Sequence, residues 1–344
     1  MTYYPVCIAT LNRYEHFKEC VESLAACTHA DKTEIVIGLD YPPSEKYVEG
    51  WKKIKEYLPS IKGFGKVTIF EHDHNLGIGP NGNGAFITKY VKTKYDAWIG
   101  TEDDNVFSPC FLDYMDKCLE KYKYDKKVLM ICGCLEPDMK RILENPIANM
   151  KGNVLKIIGN GSAYGDGYWR DKENFLRTVF PKDIKHYIFS SRKNIIKLLK
   201  APGKLNHIYF WIKKRPELNL VCDFTRNAWM VLQDQVNILP TISLVRNNGF
   251  DGSGIFCGAS EEVAKKWDEM KISDAKYYNI KEIISERDVV CFSKKLFKSI
   301  SKKEKKEIFP IIILYLVFGY KISQKLERIY EKIKTRIKLI IKRK

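Results

Sequence analysis

An apolar segment that ends in three consecutive carboxylates is the feature that most constrains this chain. Ala97–Thr101 has the length and composition of a buried strand, and Glu102, Asp103 and Asp104 follow it directly. Carboxylates that leave a strand together crowd like charges at its exposed end, and a hard divalent cation with oxygen ligands relieves that repulsion. Open α/β sheets also bind ligands at this end. The pattern therefore predicts an α/β fold with a metal-dependent site for a nucleotide diphosphate.

Strands and helices alternate through the first hundred residues. Apolar runs at 4–10, 34–39 and 67–70 are predicted strands, and a helix after the first run has Asn12 as its expected N-cap. Strands separated by helices predict a mainly parallel sheet with right-handed crossovers. Further on, the sequence predicts helices at 86–91, 109–122, 173–201 and from 223, strands at 128–134 and 237–245, and an aromatic, Gly-rich loop at 162–169.

The basic charge is concentrated at the end of the chain. Of a formal net charge of +17, residues 294–344 carry +13, from 17 Lys and Arg against four Glu. Within this tail, residues 308–320 are apolar but too short to span a membrane. From Lys321 onward, Ile and Leu recur every three or four residues opposite Lys and Arg. This predicts a basic amphipathic helix at an anionic membrane surface, the alternative being a helix docked on the body or a coiled-coil partner.

The cysteine pattern and the hydrophobic content indicate the cellular compartment and whether the chain is folded. A hydrophobic content of 45% indicates a folded protein, and the ten cysteines show no zinc-site spacing. No secretory signal precedes the first predicted strand. We expect a cytoplasmic protein with free thiols.

The order of these motifs resembles the GT-A glycosyltransferases, which transfer a sugar from a nucleotide diphosphate donor. The similarity covers about residues 5–258 and is to bacterial transferases of the family-2 type, while the Glu-Asp-Asp triplet is also similar to the N-acetylglucosaminyltransferase I group. The resemblance implies a GT-A (Rossmann-like) fold, a mainly parallel central sheet flanked by helices. It also implies that Asp104 holds Mn²⁺ or Mg²⁺, with Asp103 and Glu102 on the ribose or on metal-bound water.

The same resemblance assigns contacts to the donor. Arg13 after the first strand and Asp40 after the second match positions that face the pyrimidine, where a carboxylate suits a ring N–H such as that of uracil. A UDP-sugar is therefore the favoured donor. The loop 75–84 resembles the segment under the donor ribose and phosphates. Further candidate contacts in these segments are Thr10, Asn75 and Asn83.

An inverting transfer needs a carboxylate that removes the proton of the acceptor hydroxyl. Asp223 matches the position of this base because it opens a predicted helix and the Pro-x-Ile-Ser segment 240–243 follows it, although Cys222 replaces the usual aromatic residue. Its alternative role is a helix N-cap. Asp166 is the rival candidate, and with Trp169 it is expected to recognise a sugar; the alternative for that cluster is core packing.

A Gly-rich loop at 249–254 matches the mobile segment of the family. Arg246 before it is expected to stabilise the diphosphate leaving group, and Ser253 within it is a candidate donor contact. Glycines would let such a loop close over the donor.

The resemblance divides the chain into a GT-A catalytic domain at 1–290, with a nucleotide-sugar half at 1–105 and an acceptor half at 106–290, and a membrane-associating tail at 291–344. The expected acceptor is a glycan or a lipid-linked sugar in bacterial surface polysaccharide synthesis, with the enzyme peripheral on the inner face of the plasma membrane. A sugar nucleotidyltransferase is an alternative, but Gly residues of a phosphate loop are missing after the first strand. A nucleic-acid-binding protein is another, but the near-neutral body offers no basic groove.

Overall fold

A computed structural model describes residues 1–137, 152–157, 164–179, 184–200, 223–254, 261–282 and 302–341. The strands in this described part are β1 Val6–Thr10, β2 Glu34–Leu39, β3 Lys66–Glu71, β4 Ala97–Glu102, β5 Asn105–Phe107, β6 Val128–Cys132, β7 Val154–Ile157, β8 Asp166–Trp169, β9 Val236–Pro240 and β10 Val245–Asn247. The helices are α1 Tyr14–Ala25, α2 Val48–Tyr57, α3 Asn83–Lys94, α4 Phe111–Lys121, α5 Arg170–Val179, α6 Ile184–Phe189, α7 Arg192–Lys200, α8 Asp223–Gln233, α9 Glu261–Asp268 and α10 Lys302–Ile341.

Eight of these strands form one sheet, in the order β3-β2-β1-β4-β8-β6-β9-β7. The pairs β2–β3, β1–β2, β1–β4 and β6–β9 are parallel. By contrast, β8 runs antiparallel to β4 and β6, and β7 runs antiparallel to β9. The sheet is therefore mainly parallel, as predicted.

Helices cover both faces of this sheet. Ile8 and Ile37 point to one face, where they join an extended apolar core with Phe17 of α1. On the other face, Val36 packs with Val91 of α3. Because side chains alternate along a strand and both faces are buried, these strands are nearly continuous apolar runs, which is why the sequence identified them.

The first helix begins differently from the prediction. Tyr14 is its first residue, Arg13 precedes it, and no side chain caps it, so the prediction of Asn12 as N-cap is wrong. The Asn12 backbone carbonyl instead lies so close to Gly50 that a Cβ there would be 1.9 Å from its oxygen. This turn directs Arg13 toward the carboxyl end of β4.

The second half of the chain differs most from the sequence-based expectations. The strand predicted at 237–245 is divided into β9 and β10, and β10 pairs antiparallel with β5 in a separate two-stranded sheet. The helical segment at 173–201 is divided into α5, α6 and α7. The predicted loop at 162–169 contains β8, where the missing side chain of Gly167 leaves room for Leu119 of α4.

A second apolar cluster joins α5, α6, α7 and α8 to the C-terminal helix. Its buried members include Leu176, Ile188, Ile195 and Trp229 on these helices and Tyr315 on α10. The part of the tail around Tyr315 therefore docks on the body, which the sequence analysis kept as an alternative. The division at residue 290 stays a prediction, since residues 283–301 lie outside the described part.

Candidate active site

The carboxyl ends of β1, β2 and β4 meet at one edge of the sheet. β1 lies between β2 and β4, with Ala9 beside Glu102 and Thr10 beside Leu39. The predicted site residues that follow these strands are therefore brought together. Glu102 is exposed at this edge, whereas Asp103 and Asp104 turn inward and are each only 4% exposed.

The Asp103 carboxylate receives hydrogen bonds from both sides. Thr10 Oγ1 donates to Asp103 Oδ2 at 2.8 Å, and Arg13 Nη2 donates to Asp103 Oδ1. Burial raises the pKa of the Asp103 carboxyl above its ordinary value, and the charge of Arg13 opposes that rise. Thr10 thus fixes the orientation of a carboxylate, a role that the sequence analysis did not assign to it.

Asp104 is held by two residues that are distant in the sequence. Arg13 Nη1 donates to Asp104 Oδ2 at 2.7 Å, and Asn247 Nδ2 donates to Asp104 Oδ1 at 2.7 Å. Gly249 packs against the same carboxylate so closely that a Cβ would lie 2.0 Å from Asp104 Oδ2. The β5–β10 ladder positions Asn247 beside Asp104, and sequence reasoning missed this residue because the ladder is only three residues long.

Arg13 is thus the cation of this site in the structure. Burial alone would lower the pKa of its guanidinium, but the charges of Asp103 and Asp104 raise it above the ordinary value. Arg13 was expected to face the pyrimidine of the donor, and here it bridges the two carboxylates instead. Its contact with a base therefore stays a prediction that requires the side chain to move.

Asp40 organises the loop that follows β3. Its Oδ1 accepts hydrogen bonds from the backbone N–H groups of Tyr41 (2.9 Å) and Leu76 (2.8 Å), and its Oδ2 accepts one from Gly77 (2.8 Å). Asn75 Nδ2 donates to the Tyr41 carbonyl at 2.6 Å. Asp40 and Asn75, which were predicted to contact the nucleotide sugar, therefore hold this loop in its conformation in the structure.

Asn83 is buried and makes hydrogen bonds within the protein. It is 4% exposed, and its Nδ2 donates to the backbone carbonyls of Gly38 at 2.7 Å and Thr10 at 3.4 Å. Its Oδ1 lies 3.1 Å from His72 Nε2. A Cβ on Gly38 would lie 2.1 Å from Asn83 Oδ1, so only glycine leaves room for this amide. In this structure the amide ties α3 to β1 and β2, and its predicted contact with the donor sugar nucleotide stays a prediction.

Trp169 and Asp166 lie on β8, within the sheet. Trp169 is 1% exposed, and its Nε1 donates to the Leu119 carbonyl at 3.0 Å. It therefore packs in the core here, as the alternative had it, and its contact with a sugar stays a prediction. Asp166 pairs in register with Gly100 and Cys132 near the carboxyl end of β4, and it is fully buried. Its predicted roles, as rival base and in sugar recognition, stay predictions.

The remaining candidates are Arg246, Ser253 and Asp223. Arg246 Nε donates to Asn248 Oδ1 at 3.1 Å, and Ser253 Oγ donates to Asp251 Oδ1 at 2.6 Å. Between them lie Asn247 and Gly249, which contact Asp104, and closure of this segment over a donor stays a prediction. Asp223 is the first residue of α8, but its side chain is outside the described part, so its role stays a prediction.

The side chains around Asp103 and Asp104 supply only some of the oxygen ligands that a hard cation such as Mg²⁺ needs. Among the described residues, no group of three or more His, Cys, Asp or Glu side chains could enclose a metal. Mg²⁺ and Mn²⁺ prefer oxygen ligands, and Mg²⁺ is commonly held by one or two carboxylates together with substrate phosphates and water. Asp103 and Asp104 are the carboxylates that would hold such an ion, and Arg13 now occupies one oxygen of each.

The fold is a mainly parallel sheet flanked by helices, with the acidic triplet at the end of β4, which is the architecture that the resemblance to the GT-A glycosyltransferases predicted. No protein-family model matches the chain, and no curated protein matches it.

Glycosyltransferases are among the solved structures that align with the chain. S. aureus TarS 1-349 is 14% identical over 52% of this chain and 50% of its own, with a TM-score of 0.35. The mannosyltransferase PcManGT from Pyrobaculum calidifontis, in complex with GDP-Man and Mn²⁺, is 14% identical over 67% of this chain and 74% of its own, with a TM-score of 0.35. The bifunctional WbbM is 11% identical over 52% and 33%, with a TM-score of 0.29. The chain thus spans about half the length of the TarS fragment that it matches.

Proposed function

We infer that this protein transfers a glycosyl group from a nucleotide diphosphate sugar to an acceptor hydroxyl, with a divalent metal ion. The observation that supports this most is the pair of buried carboxylates, Asp103 and Asp104, at the carboxyl end of β4. Two adjacent buried carboxylates with one guanidinium between them leave an excess of negative charge. A cationic ligand at this edge of the sheet removes that excess.

The chemistry of such a transfer places negative charge on the departing nucleoside diphosphate. A bound Mn²⁺ or Mg²⁺ would supply positive charge to the diphosphate oxygens. Arg13, released from Asp104, would then carry its own positive charge to the same diphosphate, where a guanidinium matches phosphate geometry. Thr10 and Asn247 would keep the two carboxylates oriented.

Asp223 is the proposed general base, because it is the first residue of α8, as its match to the base position predicted, whereas Asp166 is fully buried in the sheet. Asp223 would take the proton of the acceptor hydroxyl as its oxygen bonds to the anomeric carbon and the bond to the nucleoside diphosphate breaks on the opposite face, which would give inversion.

The proposed donor is a UDP-sugar, and the proposed acceptor is a glycan or a lipid-linked sugar of bacterial surface polysaccharide synthesis. An enzyme with a lipid-linked acceptor would act on the inner face of the plasma membrane. The basic C-terminal tail supports this location, since anionic lipids face the cytoplasm.

A donor screen tests the proposal. Thermal unfolding and hydrolysis are measured with UDP-, GDP- and dTDP-sugars, each with and without Mn²⁺. Asp104→Ala is expected to abolish the stabilisation that depends on Mn²⁺, whereas the control Asp73→Asn, at a fully exposed aspartate, retains it. If Asp104→Ala remains folded by circular dichroism and keeps the full effect of Mn²⁺, the metal site is elsewhere and the proposal fails.

The role of the base is tested separately with any donor found in that screen. Asp223→Asn is expected to leave donor binding intact and to stop transfer to the acceptor. A product that retains the anomeric configuration of the donor would contradict inversion.

A further inference from the structure

The C-terminal helix is a hairpin of two arms. Gly319 interrupts α10 with backbone angles of φ 70° and ψ 174°, which are not helical. Tyr315 OH donates to Glu327 Oε2 at 2.7 Å, and Ser323 Oγ donates to the Leu314 carbonyl at 2.8 Å. In a straight helix, Tyr315 and Glu327 would be about 18 Å apart. The arm after Gly319 therefore folds back along the arm before it.

One side of this hairpin is fixed to the body. Ile312 and Tyr315 are buried in the cluster that contains Trp229 of α8. The rings of Phe189 and Tyr315 lie 4.5 Å apart, and Lys185 Nζ is 3.5 Å from Glu327 Oε2. The orientation of the hairpin relative to α8, which begins at the proposed base, is thereby set.

The opposite side exposes apolar side chains on both arms. On the arm before Gly319 these are Phe309, Ile313, Val317 and Phe318, and on the arm after it Ile322, Leu326, Ile329, Tyr330 and Ile333, each between 39% and 57% exposed. We call these nine residues the apolar surface of the hairpin. Monomeric proteins rarely expose so many large apolar side chains together, and such a surface marks an interaction site.

Basic side chains border this surface. Lys321, Lys325, Arg328 and Lys332 are all exposed on the second arm. At 3.6 residues per turn, the five apolar residues of this arm occupy an arc of about 100°, and the four basic residues occupy an adjacent arc of about 60°. A narrow basic band beside an apolar band fits a layer that is apolar inside and anionic at its boundary.

We propose that the apolar surface of the hairpin inserts into the interfacial layer of an anionic lipid bilayer, with the basic band on the lipid headgroups. The positive charge of the basic band favours an anionic bilayer over a second copy of the chain, because a second copy would place its own four cations against the four cations of this band. The proposal goes beyond sugar transfer: it states how the body is oriented on a membrane, with α8 fixed relative to the lipid surface.

The insertion is interfacial and does not cross the bilayer. Phe309–Tyr330 is, by length and composition alone, long and apolar enough to span a membrane, with a mean hydropathy of 1.2 and 17% of its window buried. Residues 308–320 alone are too short to span a membrane, but the helical turns that follow them, up to Tyr330, make the apolar segment long enough. However, Gly319 breaks this segment, and the bonds between the arms join polar groups that a straight span would separate.

Vesicle co-sedimentation of the full chain tests the proposal without donor, acceptor or metal, so its result is independent of sugar transfer. Vesicles of phosphatidylcholine are compared with vesicles that contain phosphatidylglycerol, at low and high salt. We expect binding only to the anionic vesicles, and weaker binding at high salt.

Two variants locate the contact. Replacing Lys321, Lys325, Arg328 and Lys332 by Gln is expected to lower the partition coefficient by roughly fivefold per cation, more than a hundredfold in total. The matched control replaces four other exposed lysines by Gln, Lys46, Lys52, Lys62 and Lys126, and is expected to change binding little. Ile322→Ser with Ile329→Ser is expected to lower binding at least tenfold, compared with Ile196→Ser and Ile242→Ser at two exposed isoleucines of the body.

Five results would overturn the proposal. Binding that is equal on both kinds of vesicle excludes a contact of the basic band with anionic headgroups. Binding that is equal in the variants and their controls excludes the substituted residues as the contact. A dimer that depends on Ile322 and Ile329, without vesicle binding, identifies a second copy as the occupant. Salt-dependent RNA binding without vesicle binding identifies nucleic acid. Resistance of the membrane-bound chain to alkaline carbonate extraction indicates a spanning helix.

Discussion

Replacing Arg13 by Gln tests whether this side chain holds the place of a metal ion. Arg13 is the guanidinium between Asp103 and Asp104, and all three side chains are largely buried, with 17%, 6% and 4% of their surface exposed. A metal that uses Asp104 must displace the Arg13 Nη1 hydrogen bond of 2.7 Å. Arg13→Gln removes that competition.

Arg13→Gln has two opposite expected effects: a loss of stability without metal and a gain in affinity for Mn²⁺. Removing one partner of a buried charged group leaves the carboxylates uncompensated, which costs about 3–5 kcal/mol of stability without metal. A hydrogen bond between charged groups is worth about 1.5–3 kcal/mol, and a metal no longer has to break it in the variant. The affinity for Mn²⁺ is therefore expected to rise about tenfold to a hundredfold.

Both effects are measured on the full chain without nucleotide. Electron paramagnetic resonance of free Mn²⁺ gives the affinity, and urea unfolding with and without Mn²⁺ gives the stability, which the metal should restore in the variant. The control is Arg170→Gln, because Arg170 pairs with the exposed Asp96, and an exposed pair contributes about 0–1 kcal/mol. If Arg13→Gln is folded but binds Mn²⁺ no better than the parent protein, Arg13 does not compete with a metal.

Two further substitutions probe buried aspartates. Asp40→Asn keeps one acceptor oxygen but turns an NH₂ group toward a backbone N–H, so the free protein should lose about 1–3 kcal/mol in urea unfolding; a change confined to donor affinity would contradict this structural role. Burial raises the pKa of Asp116 to about 7, above its value in the unfolded chain. The protonated Asp116 side chain therefore contributes its full stability below about pH 4, and that contribution is lost as the pH rises to 7. Asp116→Asn should therefore gain roughly 2–4 kcal/mol at pH 8 and little at pH 4, and an equal change at both pH values would refute the reasoning.

Local pattern was sufficient to predict the half of the sheet that carries the carboxylates. Glu34–Leu39 is a strand with the predicted bounds, and β4 extends one residue beyond the predicted Ala97–Thr101. β2 is buried throughout and is followed by Asp40, and β4 begins with three buried residues and ends at Glu102. The boundary between apolar and polar residues therefore marks the carboxyl end of each strand. The position of Asp103 and Asp104 follows from that boundary alone.

The partners of those carboxylates could not be predicted in the same way. Asn247 reaches Asp104 from 143 positions away through a ladder of three residues per strand, and so short a strand has no hydrophobic period to recognise. The burial of Trp169 could not be predicted for a related reason. Two Gly and three aromatic residues within 162–169 have the composition of a binding loop, and only the pairing of β8 with β4 and β6 shows that the tryptophan packs in the core.

The balance of charge connects the site to its proposed function. Two buried carboxylates and one guanidinium have a net charge of −1, and well-packed apolar residues would be at least as stable at these positions. Polar groups that cost stability occur at functional sites, where a ligand brings the missing charge. In the proposed function, a divalent cation held by Asp103 and Asp104 would neutralise both carboxylates by itself. The positive charge of Arg13 would then be available for a diphosphate, so that metal and donor would each bind better in the presence of the other.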